Sequence, residues 1–176
     1  MIVYFLRHAN AGQKRMNPIQ DEKRPLDKEG IEQCRYVGRW LSSLDTHVDL
    51  ILSSPLKRAT QTASMVGNEI AYEQKIELSA LLRPNAAFEG FRDLLHKLAG
   101  LEAVMVVGHN PNMSRFLSLL VTGGLSERAI EMKKGSVARV EMGSKRSVLN
   151  WLVTPRVIKS AYSSAQTSSR PNTSEK

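Results

Sequence analysis

Short apolar runs alternate along the chain with longer segments in which apolar side chains recur every three or four positions. The runs predict strands, and the first of them carries so little polar character that it suits a strand buried on both faces. We place these strands at residues 2–6, 48–52, 75–78, 103–107, 136–142 and 148–153. The periodic segments predict amphipathic helices, which begin after Asp27, at Ser54-Pro55, at Phe88 and at Asn110-Pro111. A capping residue followed by proline predicts that proline opens the second and fourth helices.

Strands that alternate with helices favour an α/β fold with a largely parallel sheet. We predict a three-layer α/β/α sandwich in one domain over residues 1–158. The chain beyond this point is rich in Ser, Thr and Gln and poor in large apolar residues. Such a composition predicts a disordered tail over residues 159–176.

Composition narrows the class of protein. The single cysteine, Cys34, excludes an internal disulfide framework and a zinc site built from several thiolates. No apolar run approaches the roughly 20 residues that a transmembrane helix needs, and the apolar start is too short for a signal peptide. We therefore expect a cytoplasmic protein without a membrane role. The chain also lacks the glycine-rich and His-Glu-x-x-His motifs of nucleotide and zinc sites, so no cofactor and no metal are expected.

The formal net charge of +8 raises the question of nucleic-acid binding. The basic residues are scattered, however, and no zinc-finger, RNP-type or basic-zipper pattern accompanies them. Dispersed basic charge is typical of a solvated surface or of a surface that attracts an acidic or phosphorylated partner. We therefore expect no nucleic-acid partner. The oligomeric state is not fixed by the sequence, and a monomer is plausible.

Chemically distinctive residues occur where three predicted strands end. The first strand ends in Arg7-His8, the second leads into a helix whose first turn carries Arg58, and the fourth is followed by His109. Carboxyl ends of neighbouring parallel strands form the ligand site in such sheets. Two guanidinium groups, two imidazoles and the N–H groups of a helix start suit a phosphoryl group, and a neutral imidazole can attack phosphorus.

The sequence gives weaker evidence that other polar residues belong to the site. Arg24 sits in the polar loop after the first strand, where it could bind substrate phosphate or an acidic partner, or simply be exposed. Asn110 could contact substrate or cap the following helix. His47 and His96 lie in a polar turn and an amphipathic helix, so we expect both to be structural or exposed.

Several spaced motifs, taken together, resemble the histidine phosphatase superfamily. They are Leu6-Arg7-His8-Ala9, Arg24-Pro25-Leu26 with Gly30, Ser53-Ser54-Pro55-Leu56-Lys57-Arg58-Ala59 followed by Gln61-Thr62, and Val107-Gly108-His109-Asn110-Pro111. The short length, Ala9 and Ala11 around Asn10, and Trp151 with Pro155 are most similar to the SixA-type branch of protein phosphohistidine phosphatases. The resemblance extends from residue 1 to about residue 156.

The resemblance implies a phosphoglycerate mutase-like fold whose sheet is mixed. It also implies that His8 is the nucleophile and that Arg7, Arg58 and His109 surround the phosphate. One departure concerns the general acid, which ester-cleaving branches place near the stretch that here spans residues 79–85 and contains no carboxylate. Glu77 and Glu89 flank this stretch, so either could supply a proton if the fold turned it inward.

Without a proton donor, expulsion of an alkoxide is difficult, because a positioned acid typically contributes 10²–10⁴-fold in rate. An imidazole is a far better leaving group. The sequence therefore predicts a phosphatase that acts through a phosphohistidine intermediate on phosphohistidine in a protein of the phosphorelay type. The alternatives are a small-molecule phosphomonoesterase of the same superfamily and a phosphoprotein-binding module without turnover.

Overall fold

The computed structural model describes residues 1–143 and 146–168. Its centre is a six-stranded sheet with the order β3-β2-β4-β1-β5-β6. The strands are β1 (Ile2–Arg7), β2 (Leu50–Ser53), β3 (Glu77–Leu78), β4 (Ala103–Gly108), β5 (Val137–Met142) and β6 (Ser147–Val153). Strands β1 to β4 are parallel to one another, whereas β5 is antiparallel to both of its neighbours, β1 and β6. The predicted mixed, mostly parallel sheet is therefore confirmed.

Six α-helices flank the sheet in the described chain. They are α1 (Pro18–Glu22), α2 (Lys28–Ser43), α3 (Lys57–Glu69), α4 (Phe88–Lys97), α5 (Asn112–Thr122) and α6 (Pro155–Ser168). The four helices predicted from periodicity correspond to α2, α3, α4 and α5. Helix α1 lies in the loop between β1 and α2, where the sequence indicated no helix, and only five residues are too few to show a period.

Alternate residues of the central strands pack into two separate cores, as a sheet buried on both faces requires. Tyr4 and Leu6 of β1 join a core with α2, α3 and α6. Val3 and Phe5 of the same strand join the other core, with α4 and α5. The result is the predicted three-layer α/β/α sandwich.

Both cap-then-proline signatures are wrong in detail. Helix α3 begins at Lys57 and α5 at Asn112, so each proline precedes the first helical residue. The capping groups have other partners: the Ser54 hydroxyl lies 2.8 Å from a ring nitrogen of His109. Asn110 does accept a hydrogen bond from the Ser114 N–H, but its amide also donates to the Met132 carbonyl.

Helix α6 covers residues 159–168, the first part of the segment for which the sequence predicts disorder. The helix packs against α2, because Ile158 is buried and the ring of Tyr162 stacks on Tyr36 at 6.3 Å. Apolar contacts of Ile158 and Tyr162 thus help to dock a Ser-rich helix, together with the ion pair between Lys159 and Glu32 at 3.4 Å. Residues 169–176 lie outside the described residues, and the division of the chain at residue 158 stays a prediction.

None of the helices in the described ranges has the length and apolar character needed to span a lipid bilayer.

Candidate active site

The register of two neighbouring strands brings both histidines together. Strands β1 and β4 are parallel, with Arg7 opposite Gly108. The residues that directly follow them, His8 and His109, therefore lie next to each other. Their ring centroids are 4.8 Å apart, and both residues are buried. A Cβ atom at Gly108 would lie 2.6 Å from the sulfur of Met113, so any larger residue there would require the Met113 side chain to move.

The hydrogen bond of His8 fixes which of its ring nitrogens carries the proton. Nδ1 lies 2.7 Å from the carbonyl oxygen of Ala9, and since a carbonyl only accepts, Nδ1 must donate. Burial, together with the positive charges of Arg58 and Arg7, lowers the pKa of His8 to about 3 despite the opposing effect of the Ala9 hydrogen bond. The neutral ring therefore presents Nε2 as an unprotonated lone pair.

His109 has the opposite arrangement. Its Nε2 lies 2.8 Å from the Ser54 hydroxyl, while its Nδ1 is buried without a partner among the described residues. The Ser54 oxygen also accepts from the Leu56 N–H at 3.4 Å, and its own proton is available to Nε2. Burial, followed by the charge effects of His8 and Arg58, lowers the pKa of His109. A neutral His109 with its proton on Nδ1 satisfies this pattern and has one N–H left for a ligand.

The arginines each have one buried nitrogen without a partner. One terminal nitrogen of Arg7 donates to the Met132 carbonyl at 2.7 Å, and one of Arg58 donates to the Asp21 carbonyl at 3.0 Å. The Nε atom of each arginine is buried and makes no hydrogen bond in the described part of the chain. Buried donors almost always have partners, so these two and His109 Nδ1 indicate a site for a missing acceptor, as an anion would supply.

Asp21, which sequence reasoning missed, organises the arginines. Its carboxylate accepts from the Arg15 backbone N–H and from Arg24 Nε, each at 2.9 Å, and lies 3.4 Å from Arg58. Although burial alone raises the pKa of this carboxyl, the hydrogen bond from the Arg15 N–H and the charges of both arginines hold it below its usual value. The position of Asp21 three residues before Arg24 was the only available signal.

Arg24 and Asn110 border the same cavity as the histidines, but both side chains already have protein partners. Besides Asp21, Arg24 donates to the carbonyl oxygens of Ala11 and Gly12 at 2.6 and 3.0 Å. The Asn110 amide bonds to Met132 and Ser114, as described above. Their predicted contact with substrate stays a prediction.

The cavity has a volume of about 750 Å³. Its lining includes seven cationic side chains and two carboxylates. The cations are Arg7, Lys14, Arg15, Arg24, Arg58, Arg83 and Lys134, and the carboxylates are Asp21 and Glu22. Each carboxylate is paired with arginine, since Glu22 accepts from Arg83 at 2.7 Å. The free positive charge favours an anionic ligand.

The two glutamates that flank the acid-free stretch do not border this cavity. Glu77 lies along a separate cavity of about 870 Å³ between β3 and α3, and Glu89 is exposed on α4. Arg83, Pro84 and Asn85 of the stretch itself line the histidine cavity. His47 and His96 are both exposed, as expected. The described residues contain no cluster of three or more potential metal ligands.

One cavity brings two imidazoles and two guanidinium groups together, an arrangement typical of proteins that transfer phosphoryl groups, and comparison with known families gives the class. Residues 3–90 match the family model of the histidine phosphatase superfamily (branch 1). The chain belongs to the histidine phosphatase superfamily, which confirms the resemblance carried by the spaced motifs.

The chain is similar to phosphohistidine phosphatase SixA of Escherichia coli strain K12, with 26% identity over 163 residues that cover 92% of this chain and 98% of the relative. A solved structure of the protein histidine phosphatase SixA complexed with tungstate matches with a TM-score of 0.81 and 25% identity, over 90% of this chain and 99% of that one. A phosphoglycerate mutase from Bacillus anthracis strain Sterne shares the fold, with a TM-score of 0.71 and 14% identity, over 92% of this chain and 96% of the mutase.

Proposed function

We propose that this protein is a cytoplasmic phosphatase that removes phosphate from phosphohistidine in a protein, with His8 as the nucleophile. The observation that carries the proposal is the unprotonated Nε2 of His8 next to three buried donors without partners, on Arg7, Arg58 and His109. A lone pair facing an anion site is the requirement for covalent phosphoryl transfer. Family membership supports the same chemistry.

The reaction takes two displacements. First, the Nε2 lone pair of His8 bonds to phosphorus while the bond from phosphorus to the substrate nitrogen breaks, and that nitrogen keeps its electron pair and takes a proton from water. Next, a water oxygen attacks phosphorus and loses a proton to the hydroxide left by the first step, the electron pair of the phosphorus–Nε2 bond returns to His8, and inorganic phosphate leaves. Arg7, Arg58 and the Nδ1–H of His109 stabilise the charge on the equatorial oxygens in both steps.

The leaving group favours phosphohistidine over phosphate esters. Transfer from one imidazole to another is nearly balanced in energy, whereas an ester needs a positioned acid. The carboxylates that line the cavity are held ionised, because the hydrogen bond and charge of Arg83 lower the pKa of Glu22 and arginines surround Asp21. The name of the relative SixA, a phosphohistidine phosphatase, supports the same substrate class.

The test compares phosphate release from a phosphohistidine-bearing protein with release from a panel of sugar phosphates. We expect clear preference for the phosphoprotein and no turnover by His8→Ala, with an unchanged circular dichroism spectrum. Preference for the esters would instead identify a small-molecule phosphomonoesterase. Tight phosphoprotein binding without phosphate release would identify a binding module, and full activity of His8→Ala would refute the covalent route.

A further inference from the structure

An exposed segment beside the active-site cavity presents apolar side chains to solvent. Met16 is 102% exposed and Ile19 is 68% exposed. Met16 and Pro18 line the cavity that holds His8, while Ile19 lies beyond its wall. We call Lys14, Arg15, Met16, Pro18 and Ile19 the ledge. Exposed apolar side chains grouped at the edge of a functional site are typical of a contact surface for another molecule.

The ledge is held in place by polar contacts beneath it. The Asp21 carboxylate accepts from the Arg15 N–H at 2.9 Å, and Asn17 caps α1 by accepting from the Ile19 N–H at 3.0 Å. Arg24 ties the preceding turn to the same carboxylate through its bonds to Ala11 and Gly12. A surface that is ordered before binding loses less conformational entropy when a partner arrives.

Charge identifies the kind of partner. Lys14 and Arg15 belong to the ledge, Lys23 follows it as an exposed residue, and Lys134 lies across the cavity. This basic border attracts an acidic surface and speeds its association. A small phosphorylated molecule inside the cavity does not extend past the wall to Ile19, whereas a protein that inserts a phosphorylated side chain can contact both.

We propose that the ledge is the docking surface for the phosphoprotein substrate, and that it binds a partner surface with an apolar centre and an acidic border around the phosphorylated side chain. This inference rests on the proposed function. Met16 and Ile19 serve as the apolar anchors, and Lys14 and Arg15 pair with the acidic border. Substrate selection therefore takes place outside the phosphate site, on residues that do not contact the reacting atoms.

The test uses the double variant Met16→Ser/Ile19→Ser in the full chain. Its matched control is Leu125→Ser/Val148→Ser, which removes apolar side chains that are 92% and 55% exposed and do not line the histidine cavity. With a phosphohistidine-bearing protein as substrate, we expect kcat/KM of the ledge variant to fall about 10- to 100-fold, mainly through KM. Turnover of the small probe phosphoramidate should be unchanged, and the control variant should match the wild type on both substrates.

A third variant, Lys14→Gln/Arg15→Gln, should weaken the dependence of kcat/KM on salt concentration more strongly for the phosphoprotein than for phosphoramidate, although both side chains also border the cavity. Equal losses on the phosphoprotein and on phosphoramidate would overturn the docking role, as would a ledge variant with full activity on both. A ledge variant that keeps phosphoprotein turnover but no longer binds a labelled oligonucleotide would replace the proposal with a nucleic-acid surface. If the wild type releases phosphate from phosphoramidate but not from the phosphoprotein, the proposed substrate fails, and the docking role fails with it.

Discussion

Replacement of Ser54 by alanine tests how the second histidine is prepared for catalysis. Ser54 is fully buried and its hydroxyl is the described partner of His109 Nε2, at 2.8 Å. Without this hydroxyl, either Nε2 stays buried and unpaired or the ring proton moves from Nδ1 to Nε2. In the second case a lone pair replaces the N–H that we expect to face the phosphoryl oxygens, and it repels them.

The size of the effect follows from the cost of a buried polar group that loses its partner, about 1–3 kcal/mol. If most of that cost falls on the transition state, kcat decreases by about 10- to 100-fold. Removal of a single donor from an oxyanion site in other enzymes costs about 10²–10³ in kcat, so the upper part of the range is reasonable. We expect KM to change less than kcat, since His109 works on charge that develops during transfer.

Steady-state kinetics with the phosphohistidine-bearing protein measures kcat, and ¹⁵N NMR of the His109 ring reports which nitrogen carries the proton. Ser54→Thr, which keeps the hydroxyl, serves as the control and should restore the Nδ1–H form and most of the activity. The reasoning is refuted if Ser54→Ala keeps both wild-type kcat and the Nδ1–H form. It is equally refuted if the alanine variant loses activity while its His109 signals are unchanged.

Two further predictions concern buried charge. Burial holds the pKa of His8 near 3 in the folded protein, so the unfolded chain takes up a proton first as the pH falls. The stability that neutral His8 contributes is therefore complete above pH 6.5 and decreases as the pH falls towards 3, with a loss of about 2 kcal/mol between pH 7 and pH 5. Urea unfolding of His8→Asn should show a correspondingly smaller loss of stability over this interval, and an identical loss in both proteins would contradict the pKa. Asp21→Asn leaves Arg24 and Arg58 without their anionic partner. We expect urea titration to show a free energy of unfolding lower by about 3 kcal/mol and kinetics to show a higher KM. Unchanged stability would show that water replaces the lost hydrogen bonds of the two arginines and contradict this role of Asp21.

Much of the fold could be predicted because local patterns of apolar and capping residues indicate where strands and helices form. The apolar runs at 2–6 and 103–107 became β1 and β4, and the regular recurrence of apolar residues after Asp27 became α2, whose first N–H groups Asp27 caps. The candidate site was also predictable in outline, since parallel neighbours bring their carboxyl ends together. A strand-end histidine on each of β1 and β4 therefore had to lie near the other once the two strands were paired.

Other features depend on contacts between residues distant in the chain. Asp21 reaches Arg58 across 37 positions and Ser54 reaches His109 across 55, and no local pattern announces either pair. Helix α6 is stabilised by its contacts with α2. Its own composition does not show these contacts, and for this reason the sequence indicated disorder there.

The sequence by itself thus determined the layers of the fold, the family and the four residues expected to handle the phosphoryl group, because periodicity and short motifs are local properties. The tertiary structure decided which nitrogen of His8 carries the proton, which hydroxyl pairs with His109, which carboxylate holds the arginines, and which apolar side chains remain in solvent beside the cavity. These depend on burial and on hydrogen bonds between separate elements, and both come into being only when the elements pack.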